Sequence, residues 1–294
     1  MIISKSEVLK RIYYPLKITK NIIELLGIAS NDSLRVLIYH DIAPYDYDSF
    51  EKQLRWLSRS WNFITPEQFS AMVSGHEKIK GRNLLITFDD GFLSNRIVAE
   101  KILNPMRIKA IFFCISDFIS IYNEREAKQF IKDRICLVKS FEKLPIHWKN
   151  MNWDDLSALL EQGHTIGAHT KSHARLSTIS DTEELKSEIV YSADLIEKKL
   201  GIEIEHFAYT FGDINSINQQ AIDIARIRFR YIYSGIRGLN RAGNYGIYRD
   251  TSAEQDSKLN YYVYSNHLIG SFLEGAADVL YNTKRKKFLN FYKS

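Results

Sequence analysis

Two pairs of residues in this sequence have the type and spacing to do chemistry on a polar substrate. Asp89 and Asp90 are adjacent at the end of the apolar run Leu84-Leu-Ile-Thr-Phe88, and His169 and His173 lie four residues apart in His169-Thr-Lys-Ser-His173. Adjacent carboxylates repel one another unless a cation or hydrogen-bond donors offset their charge. Successive side chains of a strand point to different sides, so one aspartate can ligate a metal while the other faces a substrate. Gly91 then lets the backbone turn into the next helix. Imidazoles at i and i+4 share one face of a helical turn, and both rings can reach one cation there. Two neutral imidazoles and one carboxylate form a frequent open zinc site with room for water. Blander readings stand beside these. The aspartates can cap a helix beginning near Phe92, which explains one of them better than two. The histidine pair taken alone is a weak sign of a metal.

A repeating pattern supplies the elements that must bring these residues together. Leu34–Tyr39 is an apolar run leading into His40 and Asp41, and Leu84–Phe88 leads into Asp89 and Asp90. Lys109–Cys114 is the next run, His164–Ala168 leads into His169, and His206–Tyr209 leads into Thr210, Phe211 and Gly212. Arg230–Ser234 and Gly246–Tyr248 follow. Helical patterns fill the gaps at 48–60, 92–103, 153–162, 182–200 and 215–226. Strands alternating with helices predict a parallel sheet. Active groups at strand C-termini predict a barrel or open sheet with its site on that face. His40, Asp89, Asp90, His169 and the 210–212 turn then surround one mouth.

Residues 1–30 read as an N-terminal helical extension ahead of a catalytic domain at 31–294. Val8, Leu9, Ile12, Leu16, Ile22, Ile23 and Leu26 give residues 4–27 a broken amphipathic face. Pro15, which has no N–H to donate, is expected to kink or divide it. This helix either packs on the main domain or makes peripheral contact with an anionic membrane. Residues 117–151 read as an irregular, charged insertion forming a lid or rim. Lys284–Lys287 are consecutive basic residues; they read as a solvated C-terminal tail, with membrane or phosphate contact as the alternative.

Composition narrows the classes. The chain has 294 residues, of which 45% are hydrophobic and 26% charged, enough to bury a core and unlike a disordered chain. A net charge of +5 permits an acidic partner without requiring one. Nucleic acid is not expected, because no basic stripe is interleaved with exposed aromatics. Cys114 and Cys136 are too few for a disulfide framework, and Cys114 ends an apolar run as a buried thiol would. Lys5, Lys10, Arg11, Lys17 and Lys20 interrupt every apolar stretch at the N-terminus. Neither a secretory signal nor a spanning helix of about 20 apolar residues is expected there. The expected location is the cytoplasm, including the inner face of the membrane. Oligomeric state leaves no mark on the sequence.

Thr87-Phe88-Asp89-Asp90-Gly91 resembles the first motif of the polysaccharide deacetylases, the NodB-homology group of carbohydrate esterases. His169-Thr-Lys-Ser-His173 is similar to their second motif, His-Ser/Thr-x-x-His, and the flanking Gly163-His164-Thr-Ile-Gly167 also fits. Ala208-Tyr209-Thr210-Phe211-Gly212 resembles the third motif of the branch reading Phe-Ala-Tyr-Pro-Phe/Tyr-Gly. The resemblance spans residues 34 to 250. It implies an α/β fold, a distorted (β/α) barrel of the polysaccharide deacetylase type, with a divalent metal that is commonly zinc. It implies that Asp90, His169 and His173 are ligands, that Asp89 is the catalytic base, and that the Phe211 N–H helps bind an oxyanion. This chain departs from the pattern at three places. Thr210 stands for the branch's proline. Ala208 stands where many relatives carry an arginine that orients the base; Arg249 either substitutes for it or pairs with Asp250 at the surface. The late Leu-x-His motif that supplies the general acid is unclear: His267 matches poorly, and His40 resembles a histidine used for this purpose in some biofilm-polysaccharide deacetylases.

The implied reaction is hydrolysis of an N-acetyl group from an amino sugar in a glycan or glycan precursor. One alternative is a deformylase or deacetylase of a lipid-linked sugar. Another is a catalytically impaired homologue that binds glycan. A metalloprotease is disfavoured because no His-Glu-x-x-His is present. Trp148, Trp153, Tyr45 and Tyr47 are candidates to stack on sugar, although most aromatics are core residues. The sequence does not name the sugar.

Overall fold

The computed structural model of the chain describes residues 5–28, 30–136, 140, 144–251, 254–256, 261–263, 265–276 and 278–293. The apolar runs form strands: β1 (Ser33–Tyr39), β2 (Asn62–Phe63), β3 (Arg82–Phe88), β4 (Ala110–Cys114), β5 (Thr165–Ala168), β6 (His206–Ala208), β7 (Tyr231–Tyr233), β8 (Gly246–Ile247) and β9 (Asp250–Thr251). They build one sheet in the order β8-β7-β6-β5-β4-β3-β1-β9, with β2 added beside β3. Every pairing in it is parallel. β8 and β9 lie at opposite ends of this order, yet only Tyr248 and Arg249 separate them in sequence. One short segment therefore pairs with β7 through its first half and with β1 through its second. The sheet curls until its edges nearly meet, giving the expected distorted barrel.

Strand periodicity sorts the core into two layers. Leu34, Val36, Leu85, Ile111, Phe113, Ala208, Tyr231, Tyr233 and Ile247 fill the inside of the curl, where Phe69, Met72 and Val73 of the helix Pro66–Val73 join them. Their alternates Leu37, Leu84, Ile86, Phe88, Phe112, Phe207 and Ile232 face outward into the larger cluster shared with the surrounding helices. Carried past the strand ends, the same alternation sends Asp89 (after Leu85 and Thr87) and Arg249 (after Ile247) toward the interior.

The outer helices follow the sequence reading closely. They include Tyr47–Leu57, Leu93–Val98, Trp153–Glu161, Thr182–Lys186, Ser192–Leu200 and Gln219–Arg228. The last begins later than expected, because the Asn218 side chain caps it by accepting from the Ala221 N–H. The helix Pro66–Val73 was not anticipated; a capping box between Thr65 and Gln68 starts it.

Three peripheral expectations change. Residues Lys5–Leu25 form one helix that continues through Pro15 rather than dividing there. It packs on the body: Tyr13 is buried, with ring contacts to Trp56 and His267. A Cβ on Gly270 would sit only 2.5 Å from the Tyr13 ring, so glycine permits this close approach. Its other face leaves Tyr14, Ile18, Ile22, Leu25 and Leu26 exposed. The basic run near the C-terminus is not a free tail. It belongs to the helix Asn282–Asn290, anchored by the fully buried Phe288 and by Arg285, which donates to the carbonyls of Arg237 (2.8 Å) and Asp278 (2.7 Å). The 117–151 insertion is partly regular, with the helix Glu124–Phe130 continuing into a π-helical turn, Ile131–Ile135. Residues 137–139 and 141–143 of it lie outside the described set. Both cysteines are free thiols, and Cys114 is buried as expected.

Candidate active site

Strand register assembles the mouth. β1 and β3 run in step up to Tyr39↔Phe88, and the Asp89 N–H then donates to the Tyr39 carbonyl (2.9 Å). Position 40 therefore lies beside position 89. β4 and β5 end together at Cys114↔Ala168, and the His169 N–H donates to the Cys114 carbonyl (3.0 Å). Ala168 pairs in turn with Phe207, which brings the 209–212 turn to the same rim.

Asp90, His169 and His173 meet there, all buried. The Asp90 Oδ1 lies 3.4 Å from His169 Nε2 and 3.6 Å from His173 Nε2. One ligand atom from each of the three falls within 4.8 Å of the others. Both imidazoles are held through their far nitrogens: His169 Nδ1–H donates to the Ala208 carbonyl (2.6 Å) and His173 Nδ1–H to the Arg134 carbonyl (2.7 Å). Those bonds fix the tautomer and leave each Nε2 lone pair aimed at the cluster. Asp90 Oδ1 is buried without a hydrogen-bond partner among the described residues. An orphaned carboxylate oxygen facing two imidazole lone pairs is a donor set that fits a divalent cation.

The charges agree with that arrangement. Burial alone would raise the Asp90 carboxyl, but the close approach of His169, with the nearby His40 and His173 rings, outweighs it and holds it well below the usual carboxylate range. Burial would lower His169, yet Asp89 and Asp90 raise it on balance. Burial lowers His173 more than Asp90 can restore.

Asp89 is held by Arg249. The guanidinium donates from Nη1 to Oδ1 (2.7 Å) and from Nη2 to Oδ2 (2.9 Å), while its Nε donates to the Ser234 carbonyl (2.8 Å). Arg249 is fully buried, with the Phe113 and Tyr233 rings 5.3 and 5.9 Å from its guanidinium carbon. The surface pair with Asp250 is thus excluded; Asp250 instead pairs with Arg35 (3.2 Å). Ala208 shares the interior cluster with Phe113 and Tyr233. Its small side chain is consistent with a guanidinium that enters from the barrel seam rather than from the third motif. Asp89 Oδ2 lies 3.9 Å from His169 Nε2, so the held carboxylate adjoins the three-residue cluster without being part of it.

The loop carrying the histidines differs from expectation. Residues 169–173 are not helical, and Thr170 (φ 62°) and His173 (φ 60°) both take the left-handed conformation. A tight loop brings the rings to a 5.7 Å centroid separation where a helical turn was expected to do so. Residue type alone does not warn of this, since neither residue is glycine. Glu188 was also missed. Its buried carboxylate accepts from the Lys171 and Ser172 N–H groups and the Ser172 hydroxyl. Nothing in its helical context singled it out.

The remaining candidates separate. Phe211 (φ 63°) lies on the rim, its ring 4.8 Å from that of His173 and covered by the Arg175 guanidinium at 4.1 Å. His40 sits at the mouth, its carbonyl accepting from the Asn95 side chain (2.8 Å). Asp41 turns away from it and accepts from Ser94 Oγ (2.7 Å), His147 Nε2 (2.9 Å) and Trp148 Nε1 (2.8 Å). Asp41 and the Arg134 carbonyl are therefore among the places where the insertion is fastened to the rim. His267 packs instead against Tyr13 and Tyr14 of the N-terminal helix. Among the proposed stacking aromatics, Tyr45 is exposed beside His147. Trp153 and Tyr47 pack on the outer core.

Comparison with known proteins bears on the family and the fold. The polysaccharide deacetylase family model matches residues 76–228. YxkH of Bacillus subtilis (strain 168), whose name places it among the polysaccharide deacetylases, is 22% identical over 196 residues. That alignment covers 65% of this chain and 61% of the relative, so the match spans about three-fifths of the relative's length. Among solved structures, IcaB from Ammonifex degensii superposes with a TM-score of 0.64 at 20% identity, covering 83% of this chain and 98% of that one. The Streptococcus pyogenes deacetylase PplD, solved with acetate, gives a TM-score of 0.57 at 20% identity and covers 74% and 92% of the two chains. At such identities the structural matches establish the shared fold.

Proposed function

Since the chain belongs to the polysaccharide deacetylase family, we propose that it is a metal-dependent hydrolase that removes the N-acetyl group from an amino sugar of a glycan or glycan precursor. The observation that carries this reading is the adjacency of two differently held carboxylates: Asp90 faces two imidazole Nε2 atoms, and Asp89 is clamped by Arg249 beside them. Asp90, His169 and His173 would hold a divalent cation, with zinc suited to two imidazoles and a carboxylate. When bound, such an ion polarises a carbonyl and makes water more acidic.

The chain's own groups would do the rest. Asp89 accepts the proton of the attacking water, and the Arg249 fork keeps its carboxylate oriented for that transfer. The Phe211 N–H, which has no hydrogen-bond acceptor among the described residues, donates to the oxygen that gains charge as the amide carbon becomes tetrahedral. His40 delivers a proton to the departing amine.

A second reading concerns the substrate. The exposed apolar stripe on a basic N-terminal helix favours contact with an anionic membrane, and with it a deacetylase or deformylase of a lipid-linked sugar at the inner membrane face. No helix among the described residues is long and apolar enough to cross a membrane. An impaired glycan-binding homologue is the less favoured reading, because both carboxylates and both imidazoles are present.

One experiment addresses all three readings: acetate and formate release from N-acylated soluble glycans and lipid-linked sugars, with and without chelator, alongside metal analysis. Asp89→Asn is expected to abolish turnover while keeping the metal, and His169→Ala to lose both. Wild-type turnover in Asp89→Asn defeats the assignment. Glycan binding by a metal-free, inactive wild-type chain supports the impaired homologue.

A further inference from the structure

We propose that Glu188, outside the sequence motifs, is a positioning residue that holds the His173 side of the metal site in its ligating shape. This rests on the reading of Asp90, His169 and His173 as metal ligands.

The physical case begins with burial. The Glu188 side chain is 7% exposed, and a buried carboxylate is costly unless hydrogen bonds satisfy it. Its donors all come from one short loop. Oε2 accepts from the Lys171 N–H (3.1 Å) and the Ser172 N–H (2.9 Å), and Oε1 accepts from the Ser172 hydroxyl (2.7 Å). These residues sit between the two ligand histidines.

That loop needs holding. Thr170 and His173 are both left-handed, a conformation that residues with a Cβ, and above all β-branched ones, avoid. Other contacts fix its outward side: the Thr170 and Lys171 carbonyls accept from the N–H groups of Ser116 and Asp117. Glu188 provides the acceptor for the two consecutive N–H groups that the loop turns inward. Without it, two donors lose their partner and the strained turn has less reason to persist. His173 is the ligand that follows directly. Its own N–H donates to Thr170 Oγ1 (3.1 Å), so a change at 171–172 reaches it through the same turn.

Local helix geometry places the carboxylate. Glu188 lies in the π-helical turn Ser187–Tyr191, between the α-helical stretches Thr182–Lys186 and Ser192–Leu200. A π turn re-aims the side chains that follow it, and such turns are frequent at functional sites.

The test is zinc titration of metal-free protein against a competing chelator, with thermal unfolding of the metal-free forms as control. Glu188→Ala is expected to bind zinc about 10 to 100 times more weakly, the usual cost of losing a group that orients a ligand. Glu188→Gln should recover most of the affinity. Its amide oxygen can still accept both N–H groups, and the Ser172 hydroxyl can turn to accept from the amide. Should Glu188→Ala fail to fold, Glu188→Asp carries the comparison. It keeps the charge but draws the oxygens back by one methylene, and weakening of roughly tenfold is expected. Wild-type affinity in Glu188→Ala or Glu188→Asp overturns the proposal, as does a Glu188→Gln variant as weak as Glu188→Ala. A wild-type chain that binds no zinc refutes the metal-site reading itself, whereas tight wild-type binding matched by Glu188→Ala refutes only the role of Glu188.

Discussion

Replacing Arg249 by leucine isolates the interaction on which the proposed base depends. The substitution keeps much of the side-chain volume between Phe113 and Tyr233 but removes both donors to Asp89 and the donor to Ser234. Hydrogen bonds to charged groups contribute about 1.5–3 kcal/mol each. Removing one partner of a buried ion pair costs about 3–5 kcal/mol, because the other charge stays buried and uncompensated. Arg249 and Asp89 are both almost wholly inaccessible, so solvent screening offers little relief. At about 2–4 °C per kcal/mol, the melting temperature should fall by roughly 10 °C. Turnover should fall further than stability suggests, since a misplacement of about 1 Å in a catalytic group can cost about 100-fold in rate. Metal content should survive, because Asp90, His169 and His173 are untouched. Arg249→Lys should fall between the two, retaining a charge but losing the planar fork that bonds both carboxylate oxygens at once. The assay pairs thermal unfolding with acetate release and metal analysis on the same samples. An Arg249→Leu protein that melts and turns over like wild type would show that the clamp seen at the barrel seam orients nothing.

Three further outcomes follow from particular contacts. His40→Ala should lower turnover by about 100-fold or more, the usual contribution of a general acid, with metal occupancy little changed. His267→Ala should chiefly lower the melting temperature by loosening the Tyr13 and Tyr14 contacts; if it lowers turnover instead, the acid is misassigned. His164 makes stability sensitive to acid. Its Nδ1 accepts from the Ala110 N–H (3.2 Å) while Nε2–H donates to Asn104 Oδ1 (3.1 Å), a pattern that only the neutral ring satisfies. Burial, with Lys109 and Arg96 nearby, lowers its pKa to about 4. In the unfolded chain it titrates near ~6.5. The folding stability it supports is therefore complete above pH ~6.5 and lost as pH falls toward 4, by about 1.4 kcal/mol per unit. Between pH 7 and 5 the wild type should lose about 2 kcal/mol more than His164→Asn in denaturant unfolding, and equal losses would refute the assignment.

The parts of the fold that were legible in the sequence are those whose signal is local. Runs such as Leu84–Phe88 and Ala110–Cys114 carry their own strand pattern, and the helices between them carry theirs. β2 and β9 are two residues each and carry no periodicity at all. β9 matters most among the pieces that stayed hidden. Its pairing with β1 is what buries Arg249, so from sequence the residue remained balanced between a surface pair and an interior clamp. The basic run near the C-terminus misled for the opposite reason. Charge dominated its composition, while the buried Phe288 and the carbonyl contacts of Arg285 dock the segment.

The site was legible in its residues but not in its backbone. Apart from glycine, five described residues have positive φ, and four of them are Asp90, Thr170, His173 and Phe211. Left-handed backbone disfavours side chains bearing a Cβ by about 1–2 kcal/mol per residue, so a sequence reader expects glycine at such places and finds none. The spacing of His169 and His173 is ambiguous on this point, because a helical turn and a tight left-handed loop both bring two rings to one cation. What separates them is where the cost is compensated. A helix would satisfy its own N–H groups, whereas this loop draws its support from the Glu188 carboxylate, the Ser116 and Asp117 N–H groups and the Arg134 carbonyl, none of them near it in sequence. Strain concentrated at the proposed ligands, and relieved only by partners from other elements, is the pattern expected when the position of a side chain has been favoured over the comfort of the backbone that carries it.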